Sequence, residues 1–368
     1  MKIEPFKLER YFAVHEFSAP YLLSCSDCES MTIDDLLGMQ ANAKEQFLSL
    51  RLGYTESSGS PVLREAIAGL YANLSQNHIL VHAGAEEAIF NFMNTVLEAG
   101  DQVVVHTPYY QSLAEIARSI GAEVIEWIGD AAHGWSLDFN FLKDHLSQKT
   151  RLVVVNFPHN PTGFLPESEF MSTLSELSQA HGFIIFSDEV YRGLEYRPTH
   201  RLPAFTDLNE RAVSLGVMSK TYGLPGLRIG WIATRNQALY DKLAAFKDYT
   251  TICNSAPSEF LAALALDHRD AIAHRNLEII RSNLELLNAF FDRHADLFRW
   301  HQPKAGPIAF PKFLGGDVAA FCRDLVEQVG VLLVPGSCYS KGDDHFRVGF
   351  GRRNLPECLD RLEDYLHP

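Results

Sequence analysis

Between His78 and Val217 the chain alternates short apolar runs with longer stretches whose apolar residues recur every three or four positions. The runs Ile79–His82, Gln102–His106, Glu123–Trp127, Leu152–Asn156, Phe183–Ser187 and Val213–Val217 have the length and continuity of buried strands. Ala85–Glu98, Gln111–Ile120, Leu137–Leu146 and Pro166–Ala180 have the period of helices. Strands joined through helices pair in parallel, so this half predicts an α/β fold with a large, mostly parallel mixed sheet covered by helices on both faces. Beyond Thr234 the pattern changes to the long helical stretches Asn236–Tyr249, Ser258–Leu266 and Ala271–His294. Strands over Pro307–Phe313, Val331–Pro335 and His345–Phe350, with helices over Val318–Gln328 and Pro356–Leu366, predict a smaller α/β C-terminal unit. Residues 1–40 read as irregular up to a helix that begins after Thr32, and the turn-rich loop from Leu52 to Ser60 feeds a helix over Val62–Ala72. The implied division is a large domain over residues 41–259 and a small one from residues 1–40 with 260–368.

Ligands of such sheets sit beyond the carboxyl ends of the strands. The residues found there are Gly84, Ala85 and Glu86, Tyr110, Asn160, Asp188 with Tyr191, and Ser219 with Lys220, while Arg228 opens the next apolar run. Gly84-Ala85-Glu86 is a small-residue turn into a helix, whose free N–H groups can hold a phosphate. A lysine at a strand end, among small residues and near a fixed cation, suits a Schiff base with a phosphorylated aldehyde cofactor. Taken singly, each has a plainer reading: Lys220 a solvated charge, Asp188 a helix cap, Arg228 a structural ion pair, Tyr110 ordinary core and Asn160 an Asn-Pro turn.

Composition narrows the classes. A formal net charge of -14 argues against a nucleic-acid binder. No apolar run approaches the roughly 20 residues of a membrane span, and the first ten residues lack the apolar stretch of a secretory signal, so the expected location is cytoplasmic. The six cysteines are scattered and read as free thiols. Cys25-Ser-Asp-Cys28 has zinc or redox spacing but no second pair to complete four ligands, so no metal is expected. Gly223, Gly226 and Gly230 do not form the Gly-x-Gly-x-x-Gly of a dinucleotide site.

The motifs Val-Val-Val-Asn-Phe-Pro-His-Asn-Pro-Thr-Gly (153–163), Ser-Lys with Gly-Leu-Pro-Gly-Leu-Arg (219–228) and Val-Pro-Gly-Ser (334–337) stand in one order along the chain. In that order the sequence resembles the class I/II aminotransferases, pyridoxal-phosphate enzymes of fold type I, and within them the branch that includes capreomycidine synthase. The resemblance implies that Lys220 binds the cofactor aldehyde and shuttles the substrate proton, that Asp188 pairs with the ring nitrogen, and that Tyr191 and Asn160 bond the ring oxygen. It also implies that Tyr110 stacks on the ring, and that the Gly84–Glu86 turn, Ser219 and Arg228 hold the phosphate. Arg347 matches the clamp for the substrate α-carboxylate, beside Asn160, and Tyr54 matches a tyrosine that reaches the neighbouring active site of a homodimer. The implied activity is ping-pong amino transfer between an α-amino acid and a 2-oxo acid, through aldimine and ketimine linkages. A lyase or cyclase of the same fold, acting on a cationic amino acid, is the alternative. Two departures concern ligands. Val217 stands where relatives often carry a phosphate-binding serine, and Leu22–Ser30 replaces a Gly-x-Pro segment, so Asp27 and Glu29 either pair with a cationic side chain or cap a helix start in solvent.

Overall fold

The computed structural model describes residues 2–367. Its main sheet has seven strands: β2 (Ile79–His82), β3 (Gln102–Thr107), β4 (Glu123–Ile128), β5 (Thr150–Asn156), β6 (Ile184–Asp188), β7 (Ala212–Val217) and β8 (Gly230–Thr234). They lie in the order β2-β8-β7-β6-β5-β3-β4. β8 runs antiparallel to both its neighbours, and the other pairings are parallel. Alternate residues serve opposite faces, as the pleat requires. Val103, Val105, Leu152, Val154 and Phe186 face one helix layer. Val104, Val153, Val155 and Ile185 face the other, around Trp127 and Phe183. The central strands are mainly apolar because both faces are covered, whereas the edge strand β4 is partly exposed and carries Glu123 and Glu126.

The helices between the strands match the periodic stretches to within a few residues: α5 (Ala85–Val96), α6 (Ser112–Ile120), α7 (Phe139–His145) and α8 (Ser168–His181). The long C-terminal helices do likewise, with α11 over Ala256–Asp267 and α12 over Arg269–Arg293. The later part departs from the single strands expected. Pro307–Phe313 divides into β10 (Ile308–Ala309) and β11 (Lys312–Phe313), which belong to different sheets. Pro311 lies between them and has no N–H to carry a ladder onward. Val331–Pro335 divides likewise into β12 (Val331–Leu332), paired with β1 (Tyr21–Leu22), and β13 (Val334–Pro335), paired with β14 (Phe346–Gly349).

The N-terminal residues correct the reading most. The expected helix after Thr32 is present as α2 (Ile33–Leu37), closed by a capping box in which Thr32 and Asp35 satisfy each other's backbone N–H. Ahead of it, where irregular chain was expected, stands α1 (Lys7–His15). Its Leu8, Tyr11, Phe12 and His15 recur at i, i+3, i+4 and i+7, so the helical period was present in the sequence. Between α1 and α2 the chain runs beside β14: Gly349 N–H donates to Leu23 O at 2.9 Å and Glu29 N–H to Gly351 O at 2.8 Å. A Cβ on Gly349 would stand 1.9 Å from Cys25 O, so only glycine lets the two backbones approach.

Phe186 is wholly buried under α5, its ring 4.4 Å from that of Phe92. Phe186→Ala is expected to cost about 3–5 kcal/mol through lost burial and a residual cavity, measured as a fall in the urea midpoint of unfolding.

Candidate active site

The carboxyl ends of β2, β5, β6 and β7 open into one cavity of 680 Å³, closed from the other side by α1, the segment Cys25–Asp27 and β14. The cavity wall includes Ala85, Glu86, Tyr110, Asn160, Asp188 and Tyr191. Ser219, Lys220, Arg228 and Arg347 complete the set drawn from the sequence. Gly84 stands behind the wall: its φ is 90°, and a Cβ there would lie 2.7 Å from Arg228 Nη2. The guanidinium therefore rests directly on the turn that begins α5. Tyr54 is not part of this constellation. It is 95% exposed and borders a separate depression with Cys253 and Asn254.

Asp188 ends β6, nearly buried, with one carboxylate oxygen accepting the Val190 N–H at 3.2 Å. Burial pushes its carboxyl up from 3.8 to about 7, against the opposing pull of that N–H and of the Lys220 charge. Lys220 follows β7 and extends its Nζ to Ser26 Oγ at 2.8 Å. Burial, reinforced by the charge of Arg347, lowers its amine below the usual lysine range, which favours the neutral, nucleophilic form. Tyr191 is buried to 1% exposure, and among the described residues its hydroxyl makes no well-formed hydrogen bond, although the Ser26 side chain stands beside it. Glu86 Oε2 is also buried and makes no well-formed hydrogen bond among the described residues, and burial raises that carboxyl to about 7 against the opposing pull of the nearby Ser112 hydroxyl.

Arg347 is fully enclosed. Its Nε and Nη2 donate to Ser24 O at 3.1 and 2.8 Å, and its Nη1 donates to Tyr339 Oη at 2.8 Å, with Asn160 Oδ1 at 3.4 Å. Asn160 is itself held by Asn156, whose Oδ1 accepts the Asn160 N–H at 2.7 Å and whose Nδ2 donates to Asp188 O at 2.9 Å. One asparagine thus sets the spacing between the β5 loop and the β6 carboxylate. Tyr110 donates to Glu9 of α1 at 3.0 Å, tying the edge of the cavity to the N-terminal helix.

Asp27 and Glu29 match neither expectation fully. Their segment does fold over the cavity, but Arg352 grips Asp27 with two hydrogen bonds of 3.1 and 2.9 Å, and Glu29 accepts the Arg353 N–H. Ser26, Asn156 and Tyr339, with Glu9, Phe12 and Glu16 of the α1 region, were not picked out from the sequence. The periodicity of α1 would have found the last three.

These residues fit pyridoxal phosphate. A helix N-terminus backed by a guanidinium suits a phosphate. The orphaned Tyr191 hydroxyl needs an acceptor or donor from a ligand, and a buried carboxyl opposite a depressed lysine suits a protonated ring nitrogen and an aldehyde carbon. The family profile for aminotransferase class I and II matches residues 29–362. Capreomycidine synthase of Streptomyces vinaceus is 33% identical over 295 residues, 80% of this chain and 75% of that one. A PLP-dependent aminotransferase from Streptococcus suis superposes with a TM-score of 0.94 at 31% identity, covering 100% of this chain and 98% of the other. The PLP-dependent cyclase OrfR does so with a TM-score of 0.90 at 29% identity, over the same shares. Fold and site thus define a pyridoxal-phosphate-dependent enzyme of fold type I. The chain belongs to the class I and II aminotransferase family.

Two outcomes follow from the geometry. A raised carboxyl stabilises the fold most below its unfolded pKa, and that contribution is lost as pH rises through about 7. In cofactor-free protein, Asp188→Asn is therefore expected to gain melting temperature over wild type as pH increases from about 5 to about 8. A Cβ on Gly230 would stand 2.7 Å from Gly84 C and 2.8 Å from Ala85 N. Gly230→Ala must displace the α5 turn and is expected to raise the cofactor dissociation constant on the order of tenfold or more, measured by equilibrium dialysis.

Proposed function

We propose that this enzyme transfers the amino group of an α-amino acid to a 2-oxo acid in two half-reactions on one site. The observation that carries the reading is the gathering of Lys220, Asp188, Tyr191 and Arg347 around one cavity, with a phosphate seat at its far end. Pyridoxal phosphate, when bound, supplies an electrophilic aldehyde carbon and a ring that withdraws electrons from the substrate α-carbon. The Ala85 and Glu86 N–H groups, Ser219 and Arg228 hold its phosphate. Tyr110 would pack against the cofactor ring. Asp188, ionised by that pairing, keeps a proton on the ring nitrogen, and the Tyr191 hydroxyl with the Asn160 amide holds the ring oxygen. Arg347 binds the substrate carboxylate through its planar fork, which a lysine could not match. Lys220 Nζ would carry the cofactor aldehyde and, when free, would serve as the base that takes and holds the substrate α-proton. Burial and the Arg347 charge depress its basicity, which raises the share of neutral amine available to act as a base. The enclosing α1 and Cys25–Asp27 segment keep water from the site.

The proposed assembly is a homodimer. Leu48, Leu52, Tyr54, Tyr249 and Ile252 are exposed large apolar side chains that a second copy would cover, bringing Tyr54 to the partner's phosphate seat. A second reading, elimination or cyclisation with the same residues, draws on the likeness to capreomycidine synthase and to OrfR.

Lys220→Ala is expected to lose both turnover and the visible absorbance of lysine-linked cofactor. Retention of both would contradict the assignment. Amino donors tested one at a time on the wild-type holoenzyme are expected to convert the cofactor to its amine form and to release a 2-oxo acid. Ammonia or a cyclic product without that conversion would select the second reading.

A further inference from the structure

Four cations border the active-site cavity: Lys220, Arg228, Arg347 and Arg352. In the reading above the first three serve the cofactor aldehyde, its phosphate and the substrate carboxylate. Arg352 is already paired, both of its bonded nitrogens lying on the Asp27 carboxylate. A substrate side chain bearing a carboxylate would therefore meet no free cation.

The opposite charge is available. Glu9, Phe12 and Glu16 fall at i, i+3 and i+7 along α1 and its C-cap, and all three turn to the cavity. Phe12 packs over the Arg347 guanidinium at 5.6 Å, so this helix face begins where the substrate carboxylate would end. Glu16 is half-buried, and while its N–H donates to Phe12 O, its carboxylate makes no hydrogen bond or ion pair among the described residues. Burial raises its carboxyl, the repulsion of Asp27 and Glu9 adds to this, and Arg352 and Lys220 only partly offset it. A half-buried carboxylate with two like charges for neighbours is stabilised by a cation brought to it. Phe12, between the two acids, offers an apolar surface for a methylene stem.

We propose that the amino-acid substrate carries a guanidinium or ammonium on an unbranched stem, held by Glu16 and by Glu9 at the rim. This rests on the amino-acid reading of the site and adds its substrate class. Asp27, the acid that the sequence offered for this role, instead silences Arg352 and so helps to exclude acidic side chains.

The test compares L-arginine and L-lysine with norvaline, norleucine and L-aspartate on the wild-type holoenzyme and on Glu16→Gln. Binding is read by titration calorimetry and reaction by the cofactor absorbance. The cationic amino acids are expected to bind best, and Glu16→Gln to weaken them on the order of tenfold while leaving norvaline and norleucine unchanged. Preference for a neutral or acidic donor, or discrimination that survives both Glu16→Gln and the double variant with Glu9→Gln, would overturn the proposal while leaving amino transfer intact. If no donor changes the cofactor absorbance, amino transfer fails, and the calorimetric ranking of L-arginine against norvaline still decides the substrate class.

Discussion

A guanidinium at 1% exposure cannot stand without partners for its N–H groups, and those of Arg347 come from three remote parts of the chain. Ser24 lies in the N-terminal segment, Asn160 in the loop after β5, and Tyr339 between β13 and β14. The arginine is thus a joint between these parts, besides the substrate-binding role proposed for it. It sets where the N-terminal segment crosses β14, which in turn places Ser26 against Lys220 and Asp27 against Arg352. Gly349 permits that crossing, because any side chain there would collide with Cys25 O.

The electrostatics of the cavity follow from the same enclosure. Burial drives the Asp188 and Glu86 carboxyls up and the Lys220 amine down, so the cofactor-free site holds its acids and its base closer to neutrality than solvent would. In the proposed reading, pyridoxal phosphate would bring the partners that these groups lack: a ring nitrogen for Asp188, an electrophilic carbon for Lys220 and a phosphate for the α5 turn. The sheet supplies the positions and the helices the dry surroundings. The N-terminal segment and α1 close the remaining side with a different charge, and that is where substrate choice is argued to lie.

The main sheet was legible because most of its strands are buried on both faces and its helices keep a clean period, so Ile79–His82 was read to the residue, as was the helix Val318–Gln328 of the C-terminal part. Much of the cavity set was legible because chemistry forces unusual residues to strand ends; nine of those positions line one cavity with Arg347, and Gly84 backs it through Arg228. Three kinds of feature were not legible. Short strands such as β10 and β11 depend on which distant edge they meet, which local pattern does not record. The pairing of Asp27 with Arg352 joins residues far apart in the chain, so no spacing announces it. Tyr54 stands exposed outside the cavity, and the proposal that it serves a second subunit has no counterpart within one chain. Helix α1 differs from these: its period was present, but its mean polarity and its place near the chain start favoured a loop reading.

The central claim is that Lys220 alone among the lysines carries the cofactor, because the fold both depresses its amine and aims it into the cavity. Borohydride reduction of the holoenzyme, followed by peptide mapping, tests this directly. The account predicts a single pyridoxyl-lysine at position 220. An adduct on any other lysine, or a holoenzyme with no reducible linkage, would contradict it.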